Sequence, residues 1–168
     1  WGEMPAASAH EFVLCSPEPG PDHSFGSLRV SRKVSPGSGT LWEQRVLPKL
    51  VAASDANVLF SPAYTCPLWC RAPIVLVIHD VSFAAHPEWF SWREGFRRRT
   101  LTRLGARRAA RVITESDFSK REITRLLGIE SSDIDVIYLG ASTLKHSEAP
   151  AERRPVVLFV GSIFNRRH

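Results

Sequence analysis

The residues best suited to chemistry stand where an apolar run stops. Pro73-Ile74-Val75-Leu76-Val77-Ile78 is followed at once by His79-Asp80 and then by Val81-Ser82-Phe83. An imidazole in that place can donate a hydrogen bond to a developing anion or accept one from a hydroxyl. The plainer alternative is that His79 and Asp80 only end a strand and cap the next turn. Ser116 follows a second such run, Arg111 to Glu115. Its hydroxyl is either a helix cap or, with the free amides of a helix start, a contact for a bound group. Arg93/Arg97 and Arg103/Arg107 stand at i, i+4 spacing and can share a helix face, either as solvated surface or as a site for anionic lipid or a phosphorylated carrier. Leu104 falls near that face and interrupts the stripe. Cys66 and Cys70 have neither a second pair nor a His cluster to complete a zinc site, so they read as buried or incidental thiols and no metal is expected.

The elements that must position these groups alternate along the chain. Unbroken Val/Ile/Leu without alternation is the pattern of a strand covered on both faces, and in parallel sheets the ligand crevice opens at the carboxyl ends of the strands. His79 and Asp80 occupy that end. Glu11 to Cys15 reads as a strand, Leu28 to Val34 as a half-exposed strand near a sheet edge, and Asn57 to Pro62 as a buried strand. Thr40-Leu41-Trp42-Glu43 and Ser119-Lys120-Arg121-Glu122 have the form of capping boxes. Leu47, Leu50 and Val51 make one helical face apolar, and Pro48 within that run is a cost. Ala84 to Phe90 is a loop or short turn with exposed-looking aromatics. Ser91 to about Ala110 is a long helix. Ile123, Leu126 and Leu127 form the apolar face of a second, stopped by Gly128, and Asp135 to Leu139 is a further strand. The expected class is α/β: a Rossmann-like parallel β-sheet flanked by helices.

Composition narrows the rest. A chain of 168 residues, 43% hydrophobic and 23% charged, is an ordinary globular length and balance. No apolar run reaches a membrane span and no signal peptide opens the chain. Three scattered cysteines suit a reducing compartment. The net charge of +5 makes anionic partners plausible without choosing among nucleic acid, lipid and phosphorylated small molecules. No G-x-G-x-x-G follows the first strand, no G-x-x-x-x-G-K-[ST] appears, and there is no G-x-S-x-G. The common dinucleotide-binding fingerprint is thus missing, and the other two absences argue against the P-loop ATPases and the serine hydrolases.

The succession Val58-Leu59-Phe60-Ser61-Pro62, Ile78-His79-Asp80-Val81-Ser82-Phe83 and His86-Pro87-Glu88 resembles the N-terminal half of family 4 glycosyltransferases. So do Val112-Ile113-Thr114-Glu115-Ser116-Asp117-Phe118-Ser119 and Val136-Ile137-Tyr138-Leu139-Gly140. The closing Val160-Gly161-Ser162-Ile163-Phe164-Asn165-Arg166-Arg167-His168 looks like that family's entry into a second domain. The resemblance implies a GT-B fold of two Rossmann-like domains across a cleft, and a parent enzyme that transfers a hexose, for instance a mannose-like one, with retention. The donor would be a nucleotide-sugar and the acceptor a glycan or lipid-linked saccharide, with neither metal nor other cofactor. Residues 1–140 would then be the acceptor-side domain, 141–155 a linker, and 156–168 the first strand and phosphate loop of the donor side. By resemblance His79 is the catalytic candidate, Asp80, Ser82, Tyr64 and Ser116 belong to the acceptor part of the cleft, and Gly161, Arg166 and Arg167 bind the donor phosphate.

Two departures stand out. Arg167 replaces the usual Lys of an Arg-Lys pair, which changes a point charge into a fork. Leu139 stands where many members carry Asn, and it receives no role. The chain opens on Trp1 and its first strand and Gly-rich loop are missing from the expected pattern, so it reads as a catalytically silent fragment, truncated at both ends. The cellular place implied is cytoplasmic, in polysaccharide biosynthesis, and if the acceptor is lipid-linked, peripheral attachment to the anionic inner membrane face follows. The rival readings are a basic Rossmann-like binding module without chemistry and another GT-B-type sugar enzyme such as an epimerase. Nucleic acid is not expected as a partner, because the basic stretch lacks the interleaved aromatics of single-strand readers.

Overall fold

The longest unbroken apolar run becomes the interior of a sheet. The computed structural model describes residues 5–21 and 24–140. Its strands are β1 (Glu11–Ser16), β2 (Arg29–Val34), β3 (Leu59–Ser61), β4 (Ile74–Val77), β5 (Arg111–Thr114) and β6 (Ile134–Val136). Its helices are α1 (Gly39–Leu41), α2 (Leu47–Ala52), α3 (Ser82–Ala85), α4 (Trp92–Arg108) and α5 (Asp117–Leu127). Every strand pairing is parallel, and the strands form a four-stranded sheet in the order β3-β4-β5-β6 and a separate pair, β1-β2. The expected Rossmann-like architecture of parallel strands flanked by helices is therefore present, divided into two sheets. Ile74, Leu76 and Ile78 are fully buried, as a central parallel strand requires. The core gathers around them from Phe83, Val112, Ile123, Leu127 and Ile134.

β3 departs from the buried strand expected of it. Among the described residues it pairs only with β4, so one flank is open, and Phe60 and Val58 are exposed. β6 also ends earlier than expected. Ile137 N–H donates to the Thr114 carbonyl, the last residue of β5, after which Ile137, Tyr138 and Leu139 are exposed. The aromatics after α3 are half-buried rather than exposed. Trp89 stacks on His86 with centroids 4.0 Å apart, and the Arg98 guanidinium lies over Phe90.

Neither capping box forms. The first helical turn begins at Gly39, and Thr40 and Glu43 bond away from it: Thr40 Oγ1 accepts from Arg97 at 2.8 Å and Glu43 Oε2 from Thr65 at 2.8 Å. A π-helical stretch, Trp42–Val46, then joins α1 to α2. A proline ring clashes with the carbonyl four residues back and offers no N–H, and the wider π turn just before Pro48 relieves both demands. The second box fails by register. α5 starts three residues earlier than expected, with the Ser116 hydroxyl accepting from Ser119 N–H at 3.1 Å, while Glu122 pairs with Arg125. Gly128 ends that helix as expected, at φ 67°, a left-handed conformation that glycine adopts without steric cost.

α4 packs by smallness. Its buried positions are Gly95, Thr102, Gly105 and Ala106. A Cβ on Gly105 would lie 3.1 Å from Cys66 Sγ and 3.6 Å from Leu76. Cys66 and Cys70 are free thiols within the core, and burial, before the nearby Glu43 charge, pushes Cys66 up to about 12. No helix among the described residues is long and apolar enough to cross a membrane. The expected linker at 141–155 and the donor-side start at 156–168 lie outside the described residues.

Candidate functional site

Sheet register builds the site. Val77 pairs with Ile113, so two residues further along each strand His79 and Glu115 emerge side by side at the carboxyl end of the sheet. His79 Nδ1 lies 2.5 Å from Glu115 Oε1, and Nε2 lies 3.0 Å from the Pro62 carbonyl oxygen. Both partners are acceptors. Only the imidazolium carries two N–H groups, so the ring fills both bonds when doubly protonated and gives up one when neutral. Glu115 thus orients the ring through Nδ1 and leaves Nε2 against the Pro62 carbonyl.

Tyr64 covers this pair. Its ring meets His79 edge-on with centroids 5.4 Å apart, and its hydroxyl donates to Asp80 Oδ2 at 2.9 Å. Its backbone is at φ 56°, a rare conformation for an aromatic residue, held by a bond from its own N–H to the Val77 carbonyl. Strain of this kind persists only where the surrounding structure over-determines the backbone, and it clusters at binding and catalytic sites. Burial first, then the hydrogen bond and charge of Asp80, push the Tyr64 hydroxyl up to about 12. Because that value lies above the ordinary 10, the contribution to stability is whole below about pH 10 and is lost as pH rises towards 12. Tyr64 is a donor throughout the neutral range.

Asp80 Oδ1 accepts from Ser82 N–H at 2.8 Å, turning the chain into α3. Asp80 therefore caps the turn and also anchors Tyr64. Ser116 lies one residue past Glu115, but its oxygen is committed to the start of α5. Ser119, in the first turn of that helix, donates to the His79 carbonyl at 3.0 Å and ties α5 to the end of the β4 run. His79, Asp80, Tyr64 and Ser82 thus come together as one constellation with Ser116 behind it. Gly161, Arg166 and Arg167 lie outside the described residues.

Glu115 and the Pro62 carbonyl were missed as site groups in the sequence. Glu115 had a signal: it is an acidic residue ending an apolar run, as His79 ends another, and neighbouring parallel strands bring such ends together. A backbone carbonyl has no comparable signal. Two open grooves lie away from the constellation. One of about 420 Å³ runs past Lys120, Arg121 and Ser131 beside α5. The other, about 600 Å³, passes Trp69, Arg71 and Asp55 at the opposite end of the sheet. Among the described residues, no three His, Cys, Asp or Glu side chains cluster so as to hold a metal ion.

Among solved structures, the chain is similar to that described as the crystal structure of Anabaena Alr3699/HepE in complex with UDP and glucose, with 21% sequence identity and a TM-score of 0.48. The match covers 79% of this chain and 45% of that one, so this chain spans less than half the length of that protein. No curated protein matches it. The family model for Glycosyltransferase Family 4 matches residues 4–143, which include every described element and the His79, Asp80, Tyr64, Ser82 and Ser116 constellation, and the chain belongs to that family.

Proposed function

We propose that this chain supplies the acceptor-side half of a retaining hexosyltransferase, which moves a sugar from a nucleotide-sugar to a saccharide or lipid-linked acceptor. Family membership supports sugar transfer. The observation that carries the site assignment is the His79 ring, oriented by Glu115 and covered by a strained Tyr64 at the carboxyl end of the sheet. On this reading Nε2 exchanges the Pro62 carbonyl for an oxygen of the donor or its leaving diphosphate, where an N–H donor stabilises developing negative charge. Asp80 and Ser82 shape the acceptor side, and the Ser116 cap keeps the neighbouring helix start in place. Donor and acceptor bind as substrates, without a resident metal or cofactor. Gly161, Arg166 and Arg167 complete the proposal as the donor-phosphate loop of a second unit joined through 141–155, and transfer takes place in the cytoplasm.

The test is sugar transfer by the full-length protein against a panel of nucleotide-sugars, beside His79→Ala and Glu115→Gln. His79→Ala is expected to lower kcat by on the order of a hundredfold or more with the fold retained. Glu115→Gln, which keeps a partner for Nδ1 but removes the charge, is expected to lose less. Undiminished transfer in a folded His79→Ala variant would return His79 to ending a strand. Absence of transfer with every donor would remove the enzyme reading altogether.

A further inference from the structure

α4 carries its large apolar side chains on the wrong side for a core helix. Trp92, Phe96 and Leu104 are 79%, 56% and 43% exposed. The Trp92 and Phe96 rings stack along the helix, with centroids 6.2 Å apart. Between and beyond them on the same face stand Arg93, Arg103 and Arg107, all exposed and, among the described residues, paired with no carboxylate. The one acid of this helix, the half-exposed Glu94, is paired with Arg98. The seventeen residues form a convex rod about 25 Å long at 1.5 Å per residue. Leu104, which interrupts a purely cationic stripe, belongs with the two aromatics in a mixed one.

We infer that this face of α4 docks on the surface of an anionic phospholipid bilayer. Charge complementarity selects the occupant: a row of exposed guanidinium groups suits lipid phosphates, and about 1 kcal/mol accrues for each such residue near an anionic surface. The apolar side chains decide between bilayer and nucleic acid. Tryptophan and phenylalanine partition to the headgroup level and leucine to the acyl boundary, so a bilayer accommodates every residue on the face. A nucleic acid would use the arginines and leave Leu104 and much of Phe96 in water. The helix begins just after α3, and Arg99 donates to the Phe83 carbonyl, so Trp92 and Phe96 lie toward the His79 end of the sheet. The docking does not depend on the transfer reading.

Sedimentation of the chain with phosphatidylcholine vesicles, with and without phosphatidylglycerol, tests this. Binding is expected only with phosphatidylglycerol and is expected to weaken with added salt. Each arginine changed to glutamine should cost about fivefold, and Arg93→Gln/Arg103→Gln/Arg107→Gln on the order of a hundredfold. Trp92→Ala/Phe96→Ala should weaken binding to the anionic vesicles on the order of a hundredfold, with unchanged circular dichroism. All these positions are exposed, so folding of the variants is checked rather than threatened. No binding to anionic vesicles, equal binding to uncharged ones, or binding indifferent to both sets of substitutions overturns the inference. So does tighter, salt-sensitive binding to single-stranded nucleic acid that needs the arginines but not Trp92 and Phe96.

Discussion

α4 and α5 lie two elements apart in the same sheet-and-helix core and are packed by opposite rules. α5 inserts Ile123 and Leu127, both essentially inaccessible, and turns outward its charges and, in its first turn, Phe118. α4 inserts two glycines, an alanine and a threonine, and turns outward a tryptophan, a phenylalanine and a leucine. α5 gains its hold by removing large side chains from water. α4 gains its hold by closeness: without Cβ atoms at Gly95 and Gly105 its backbone comes against Phe90 and Cys66. The difference shows that the apolar face of a helix and its buried face need not coincide.

The contrast makes graded predictions for denaturation of the chain. Ile123→Ala removes a fully buried side chain that α5 depends on, and a loss of about 2–5 kcal/mol is expected. Gly105→Leu fills space that does not exist beside Cys66 and Leu76, and overpacking of this kind costs about 1–3 kcal/mol. A smaller loss from Ile123→Ala than from Gly105→Leu would mean that closeness, not burial, dominates both helices. Trp92→Ala and Phe96→Ala should each change stability by no more than about 0.5 kcal/mol, as exposed substitutions do. A loss there as large as that of Ile123→Ala would break the comparison and show that the outer face of α4 is held within the chain.

The site followed a similar division. His79, Asp80 and Ser116 were legible as candidates because each stands where a strand pattern stops, and strand ends in parallel sheets are where ligand groups gather. Ser82 was named only through the family resemblance. Tyr64, too, was named as a cleft residue only through that resemblance. Its left-handed backbone and its bond to Asp80 depend on contacts sixteen residues apart that no local pattern encodes. Glu115 needed the register of β4 against β5. The capping boxes failed for the converse reason. Thr40, Glu43, Ser119 and Glu122 had local partners available, and long-range partners or an earlier helix start took precedence.

By itself the sequence determined the strand and helix alternation, the stop at Gly128, the central place of Ile74 to Ile78 and the strand end that carries His79, because these rest on side-chain periodicity and backbone preferences within a few residues. Only the tertiary structure decided which strands neighbour one another, that β1 and β2 pair apart from the rest, that Glu115 orients His79, and that α4 packs through its small residues. Register, handover of hydrogen bonds and close backbone approach are set by distances between segments far apart in the chain, and those distances exist only once the chain has folded.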